Sequence, residues 1–154
     1  MTRYFLDSSA LIKRYVTEIG SNWVDALALP TSGNSLIIAQ VTPVEVMSGI
    51  SRYKRENILT ASAAKSIRLL LDRHVKQEYF VIELTAILVQ QAEDLLEKYP
   101  LRAYDSIQLA TAVAASGQIT SAKLTPFVFV SGDKRLLAAA NAEGLTVDDP
   151  NLHP

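Results

Sequence analysis

The sequence predicts an α/β protein with a parallel sheet covered by helices. Short apolar runs of strand-forming residues alternate along the chain with longer stretches whose apolar residues recur at helical spacing. The run Phe127–Val130 is apolar at every position, as expected of a parallel strand covered on both faces. Because strands alternate with helices, the connections should be right-handed crossovers. In such sheets the ligand crevice lies beyond the carboxyl ends of the strands.

The length and composition of the chain predict a single globular domain. The 154 residues suffice for one core and not for two, so we expect one domain over residues 1–150 and a short tail over 151–154. Hydrophobic residues make up 49% and charged residues 20%, which is ordinary for a globular protein. The absence of cysteine excludes disulfides and thiolate metal sites.

Membrane and secretion signals are missing from the sequence. No apolar run approaches the roughly 20 residues of a membrane span, and the N-terminus lacks the apolar core of a signal peptide. We therefore expect no membrane association and a cytoplasmic location. The formal net charge of −1 gives no overall basic field that would attract nucleic acid.

The first predicted strand is Tyr4–Leu6, a short apolar run. It ends at Asp7, which is followed by two serines that are good helix N-cap residues, and Ala10–Tyr15 is predicted to be the first helix. Asp7 therefore lies where a buried strand gives way to a helix.

A second helix is predicted from about residue 19 to 29. Trp23 and Leu27 stand at i,i+4 spacing and are expected to anchor it in the core. A loop rich in Ser, Gly and Asn follows, and Leu36–Ala39 is the second predicted strand.

The next helix is predicted to begin with a capping box and to run toward Arg55. Thr42 would be the N-cap, Pro43 the first helical residue, and Glu45 would reach back to the Thr42 amide. Capping is thus a full structural alternative to any chemical role for Glu45.

A long helix is predicted from about Thr60 to Gln77. Its His74 has no second histidine or cysteine beside it, so we interpret it as a packed or surface residue and not as a metal ligand. A short strand at Phe80–Ile82 and a helix with an apolar stripe from Leu84 to Tyr99 follow.

The helix predicted from Leu101 to about Ser116 is apolar on nearly every side, as in a helix packed inside a domain. Asp105 is expected to project onto its largely apolar face, where an ionised carboxylate is costly without a cation. Arg102 could supply an i,i+3 ion pair, and a metal ion is the alternative.

The last predicted elements are the strand Phe127–Val130, a helix over Lys134–Ala140 and a strand over Leu145–Val147. Asp133 stands between the first two. Because Asp7 and Asp133 both come just after strands, both should lie on the carboxyl edge of the sheet.

Asp7, Glu45, Asp105 and Asp133 together suggest a metal site. Three of them start helices, where a carboxylate also serves as a cap, so the argument rests on their coincidence. Clustered carboxylates must take up protons or bind a cation. Oxygen ligands without cysteine or paired histidine favour Mg²⁺ or Mn²⁺, whose natural chemistry here is hydrolysis of a phosphodiester by activated water.

Basic residues are concentrated between Ser48 and Lys76. They are Arg52, Lys54, Arg55, Lys65, Arg68, Arg73 and Lys76, against only Glu56 and Asp72. This excess is either a phosphate-contacting surface or simply the solvated face of two helices.

Four segments that contain these acids carry a family resemblance. They are Tyr4–Tyr15, Thr42–Glu45, Leu101–Ala112 and Phe129–Leu136. Together and in this order they resemble the PIN-domain ribonucleases, and more narrowly the toxins of VapBC-type toxin–antitoxin pairs. Each motif alone is weak, and the ordered set is specific.

The resemblance implies a three-layer α/β/α sandwich in which Asp7, Glu45, Asp105 and Asp133 line a Mg²⁺ or Mn²⁺ site. It implies RNA cleavage, a homodimer, and an antitoxin that inhibits by occupying the site. Ser9 and Ser131 match hydroxyl positions that support the acids. We expect the choice of RNA to involve the basic residues Lys13, Arg14, Arg52, Lys54 and Arg55.

Two alternatives to a nuclease remain open at this point. One is a non-catalytic PIN-like module that binds RNA or protein without turnover. The other is a receiver-like phosphoacceptor domain, although that class needs adjacent acids after the first strand and here Asp7 is followed by Ser8.

Overall fold

A computed structural model describes residues 1–124 and 126–154 of the chain. The strands are β1 (Arg3–Leu6), β2 (Ser35–Ala39), β3 (Tyr79–Ile82), β4 (Phe127–Val130) and β5 (Val147–Asp148). The helices are α1 (Ser8–Leu11), α2 (Ser21–Leu27), α3 (Thr42–Arg55), α4 (Ala61–Gln77), α5 (Ala86–Lys98), α6 (Ala103–Ser121) and α7 (Lys134–Ala142). Short 3₁₀ turns occupy Ile12–Arg14, Pro30–Ser32 and Pro150–Leu152.

The strands form one parallel sheet in the order β3-β2-β1-β4-β5. Successive side chains of a strand point to opposite faces, so Phe5 and Phe129 belong to the core formed with α5, α6 and α7. Leu6 and Val130 belong to a second core formed with α1 to α4. The predicted three-layer α/β/α architecture with a parallel sheet is therefore confirmed.

The strand order reverses between β1 and β4, and this position defines where a ligand should bind. The chain runs outward from β1 through β2 to β3, then returns to place β4 on the other side of β1. The Asp7 amide still donates to the Val130 carbonyl at 3.1 Å, so the loops after β1 and β4 leave the sheet side by side. A crevice opens at such a switch point because the two loops diverge.

Several element boundaries differ from the sequence prediction. The first helix is a single α-helical turn extended by a 3₁₀ turn, and α2 is shorter at both ends than the predicted 19–29. Helix α6 continues past Gly117 to Ser121 because Ile119 still packs on the core. The last strand lies at Val147–Asp148, later than predicted.

Residues 150–153 are packed against α2. The His153 ring stacks on Trp23 with 4.2 Å between centroids and 4° between planes, and a Cβ at Gly20 would lie 2.2 Å from the Pro150 carbonyl oxygen. We call Asp149–His153 the Pro150 turn. Within the described residues, no helix has the length and apolar character needed to cross a membrane.

Candidate active site

A pocket of about 920 Å³ opens at the switch point, beyond the carboxyl ends of β1 and β4. All of the acids singled out in the sequence line it: Asp7, Glu45, Asp105 and Asp133. They come from four separate segments, so the fold has brought together residues up to 126 positions apart.

Asp7 is the most deeply buried of these acids, with 3% of its surface exposed. Its Oδ1 accepts hydrogen bonds from the Ala10 amide at 2.9 Å and the Ser9 hydroxyl at 2.7 Å. Its Oδ2 accepts from the Ser131 hydroxyl at 2.6 Å. Burial raises the pKa of Asp7 to about 6, even though these hydrogen bonds act in the opposite direction. Ser9 and Ser131 thus contact Asp7, and the role expected of them in supporting the acids at a metal site stays a prediction.

Glu45 is held by side chains from two other helices, and the predicted capping box is wrong. Its Oε1 accepts from the Gln108 amide at 2.8 Å and its Oε2 from the Ser8 hydroxyl at 3.0 Å. The N-cap of α3 is Val41, without a side-chain cap, and the Thr42 hydroxyl pairs with Gln108 instead. Burial raises the pKa of Glu45, and the charge of Asp105 adds to this effect.

Asp105 lies in the first turn of α6 and is only half-buried, so the expectation of an apolar surrounding is wrong. Its Oδ2 accepts from the Arg102 amide at 3.3 Å, and it therefore does act as a helix cap. The ion pairs found among the described residues do not include Arg102 with Asp105. Burial raises the pKa of Asp105, as does the neighbouring charge of Asp133.

Asp133 is the N-cap of α7. Its Oδ1 accepts from the amides of Arg135 at 2.8 Å and Leu136 at 3.3 Å, which is the usual geometry for a capping carboxylate. Its partial exposure to the pocket leaves its other oxygen available for a ligand.

The donor set fits a hard divalent cation. Three of the four acids raise the pKa of a neighbour by charge repulsion: Glu45 that of Asp7, Asp105 that of Glu45, and Asp133 that of Asp105. In residues 1–124 and 126–154, however, no three such side chains lie close enough together to hold an ion as placed. Mg²⁺ commonly takes one or two carboxylates and keeps several waters, so the oxygen-only set suits a hydrated ion of this kind.

The predicted RNA-contacting residues are placed unequally. Arg52 and Arg55 are exposed and line the pocket, whereas Lys54 points elsewhere on α3. Lys13 lines the pocket but is buried, and the Arg14 guanidinium is turned away toward Glu78 and Tyr79. Contact of any of these residues with RNA stays a prediction.

Gln108 is the residue that sequence reasoning missed. It is 1% exposed, and its amide donates to both Thr42 and Glu45. The available signal was an amide side chain within an otherwise apolar helix, because a buried polar group requires a partner. Arg102 and Tyr104, at the start of α6, also line the pocket and were not singled out as RNA contacts.

The fold and the site define a class of protein: a parallel α/β sandwich with a carboxylate-lined pocket at the switch point of its sheet. Within that class, the family model for the PIN domain matches residues 4–142. The chain belongs to the PIN domain family, and the resemblance found in the sequence is confirmed. Because the chain belongs to this family, the alternative of a receiver-like phosphoacceptor domain no longer applies.

The curated relatives are matched over their whole length. Ribonuclease VapC45 of Mycobacterium tuberculosis strain CDC 1551 / Oshkosh and ribonuclease VapC49 of strain ATCC 25618 / H37Rv are each 29% identical to the chain over 159 aligned residues, covering 100% of both sequences.

Solved structures share the fold at lower identity. VapBC2 from Rickettsia felis, bound to a promoter DNA fragment, aligns with a TM-score of 0.64 at 14% identity, over 96% of this chain and 98% of its own. PAE2754 from Pyrobaculum aerophilum aligns with a TM-score of 0.65 at 16% identity, over 98% and 85%. A toxin–antitoxin complex from Klebsiella pneumoniae aligns with a TM-score of 0.59 at 19% identity, over 96% and 97%.

Proposed function

We propose that the chain is a metal-dependent endoribonuclease and the toxin of a toxin–antitoxin pair. The observation that carries the proposal is the convergence of Asp7, Glu45, Asp105 and Asp133 on one pocket of a PIN domain. Full-length relatives named as VapC ribonucleases support RNA as the substrate.

The four acids would hold Mg²⁺ or Mn²⁺. Such an ion supplies polarisation of a phosphoryl oxygen and a lowered pKa for a bound water. Since the pKa of Asp7 is about 6, its carboxylate is mainly ionised near neutral pH and available to a cation. Ser9, Ser131, Ser8 and Gln108 fix the carboxylate oxygens by hydrogen bonds, which orients the ligands before an ion binds.

The remaining lining of the pocket suits a nucleic acid. Arg52, Arg55 and Arg102 carry cations that could contact phosphates on either side of the acids. Tyr53 and Tyr104 add aromatic faces on which unpaired bases could stack. A strand of RNA would therefore cross the acids between α3 and the start of α6.

We further propose a separate antitoxin chain as partner and a homodimer as the assembly. The Klebsiella pneumoniae structure is of a toxin–antitoxin complex, which supports an antitoxin for this chain as well. The homodimer is carried over from the resemblance to VapC-type toxins alone.

The test is cleavage of a pool of structured RNAs by the purified protein with EDTA, Mg²⁺ or Mn²⁺. Asp105→Asn and Asp7→Asn should abolish the products, while Asp94→Asn, on the exposed face of α5, should leave them unchanged. Undiminished cleavage by both pocket variants would refute the proposal.

A non-catalytic RNA-binding module is the second candidate, because among the described residues no three acids lie close enough together to hold an ion as placed. It predicts RNA binding without products under any ion, whether or not the metal stabilises the fold. The same experiment separates the two functions.

A further inference from the structure

The Pro150 turn reaches the acidic pocket through one side chain, Asn151. The turn is fixed from behind by the stack of His153 on Trp23 and by the close approach of Pro150 to Gly20. Gly20 has φ +86, so a larger residue there would be both strained and in collision with the turn. Asn151 is therefore presented to the pocket from a docked segment.

On one side, the Asn151 side chain contacts Lys13. Lys13 is 6% exposed, and its ammonium donates three hydrogen bonds: to Glu18 Oε2 at 3.2 Å, to the Ile19 carbonyl at 2.8 Å and to Asn151 Oδ1 at 3.0 Å. A buried cation requires such partners, and here all three ammonium protons have one. An ammonium held in this way cannot reach into the pocket to meet RNA without breaking these bonds.

The other side of Asn151 meets the loop between β4 and α7. Its Nδ2 lies 3.5 Å from the Gly132 carbonyl oxygen, and a Cβ at Gly132 would lie 3.1 Å from the same nitrogen. The Gly132 amide donates to the Ser9 hydroxyl at 2.8 Å, and Ser9 in turn donates to Asp7. Gly132 is thus enclosed between Ser9 and Asn151, immediately before Asp133.

The contacts continue from Lys13 to helix α3 on the opposite side of the pocket. Glu18, which balances the Lys13 charge, accepts a hydrogen bond from the Tyr53 hydroxyl at 2.6 Å. Tyr53 belongs to α3, the helix that also carries Glu45. A continuous series of side chains therefore joins α3 to the loop that carries Asp133.

We propose that Lys13 and Asn151 form a bridge that fixes the Gly132 loop, and through it Asp133, at the acidic site. This inference rests on the proposed nuclease function. Lys13 and Asn151 are positioning residues, because they touch other side chains and the loop backbone and act on the reaction through Asp133. The Pro150 turn, which lies beyond the segment matched by the family model, is then part of the active site.

The experiment compares Asn151→Ala with Leu152→Ala, a residue of the same turn that is 75% exposed and is not among the residues lining the pocket. Five quantities are measured on the full chain: the exchange rate of the Gly132 amide, the emission of the single tryptophan Trp23, the stabilisation by Mn²⁺, and kcat and KM for an RNA that the wild type cleaves.

Loss of the bridge should speed exchange of the Gly132 amide and weaken Mn²⁺ stabilisation. It should lower kcat about 10-fold with KM unchanged, as for other residues that orient metal ligands. Trp23 emission should not change, because His153 stays in place, and Leu152→Ala should match the wild type throughout.

Other results would overturn the inference. A raised KM with unchanged kcat would make Asn151 a direct RNA contact, and unchanged Gly132 exchange would show that no bridge holds the loop. A lower kcat accompanied by shifted Trp23 emission would assign the effect to docking of the whole turn. A wild type that cleaves no RNA defeats the proposed function instead, and the amide exchange still decides whether the bridge exists.

Discussion

Gln108 shows how a single buried side chain can set the geometry of this pocket. Its Nε2 donates to Glu45 Oε1 at 2.8 Å, so replacement by leucine would leave a partly buried carboxylate without that donor. We expect Gln108→Leu to lower the cleavage rate roughly 10- to 100-fold, the range found for groups that orient metal ligands. The control is Gln118→Leu, the same change at an exposed position of the same helix. Equal rates for the two variants would show that Glu45 needs no orientation by Gln108.

The raised pKa of Asp7 predicts how the stability of the protein depends on pH when metal is chelated. Its pKa is about 6 in the folded protein and 3.8 in an unfolded chain, so between these values the folded state binds more protons. Stability should therefore fall as pH rises through this window, by an amount on the order of 3 kcal/mol for Asp7 alone. This loss of stability is complete at pH values above the pKa of Asp7 in the folded protein.

Asp7→Asn removes this penalty, at the cost of one hydrogen-bond acceptor. In EDTA the variant should melt at a higher temperature than the wild type above the pKa of about 6, and the advantage should vanish near 3.8. Thermal denaturation across the pH range measures this, with the exposed Asp94→Asn as control. A variant less stable than the wild type at every pH would contradict it.

The acids could be found from the sequence, and the hydrogen bonds that hold them could not. Asp7 and Asp133 stand where a strand gives way to a helix, which local patterns reveal, and Asp105 was noticed as a carboxylate on a largely apolar face of a predicted helix. Glu45 fits a capping box equally well, and only the placement of Gln108 and Ser8 decided against it. Those partners lie 63 and 37 positions away, beyond the reach of any local rule.

At the scale of elements, helix α6 shows tertiary packing overriding a local stop signal. The Ser116-Gly117 pair predicts an end, yet the helix continues for another turn because Ile119 packs on the core. Gly117 is therefore inside a helix, and a Cβ there would meet nothing within 4 Å.

Gly117→Ala should stabilise the protein by roughly 0.5–1 kcal/mol, since alanine loses less backbone entropy in a helix. For a chain of this size the melting temperature should rise by about 1–4 °C. Gly144→Ala is the matched control: its Cβ also has open space, but φ is +87, so the same change should destabilise. A melting temperature lowered by both changes would mean that α6 does not extend past Gly117.

At the scale of the whole molecule, the fold separates the basic run into two surfaces. Arg52 and Arg55 on α3 line the pocket, whereas Lys65 and Arg73 on α4 do not. Of the two alternatives left open by the sequence, we therefore predict a phosphate-contacting surface on α3 and a solvated face on α4. The class of fold followed from the alternation of strands and helices, but the order of strands that puts the pocket beside α3 did not.

Removing the charges of Arg52 and Arg55 together should weaken RNA binding and its salt dependence. If each contacts one phosphate, the slope of log affinity against log salt should fall in magnitude by about 1.4 for a single strand. The Lys65→Ala, Arg73→Ala double variant removes the same charge from α4 and should leave the slope unchanged. Equal slopes for the two double variants would place the RNA elsewhere.

The central position of β1 also bears on how the molecule folds. The hydrogen bond that joins Ser131 to Asp7 spans 124 positions, and β1 pairs with β4 over a similar distance. Contacts so distant in sequence form slowly because a long loop must close first. The acids are therefore expected to come together late in folding, since a partly folded chain with only β1, β2 and α3 in place has Asp7 and Glu45 but lacks the pocket that they form with Asp105 and Asp133. In the nuclease that we propose, cleavage would then have to await the pairing of β4 with β1.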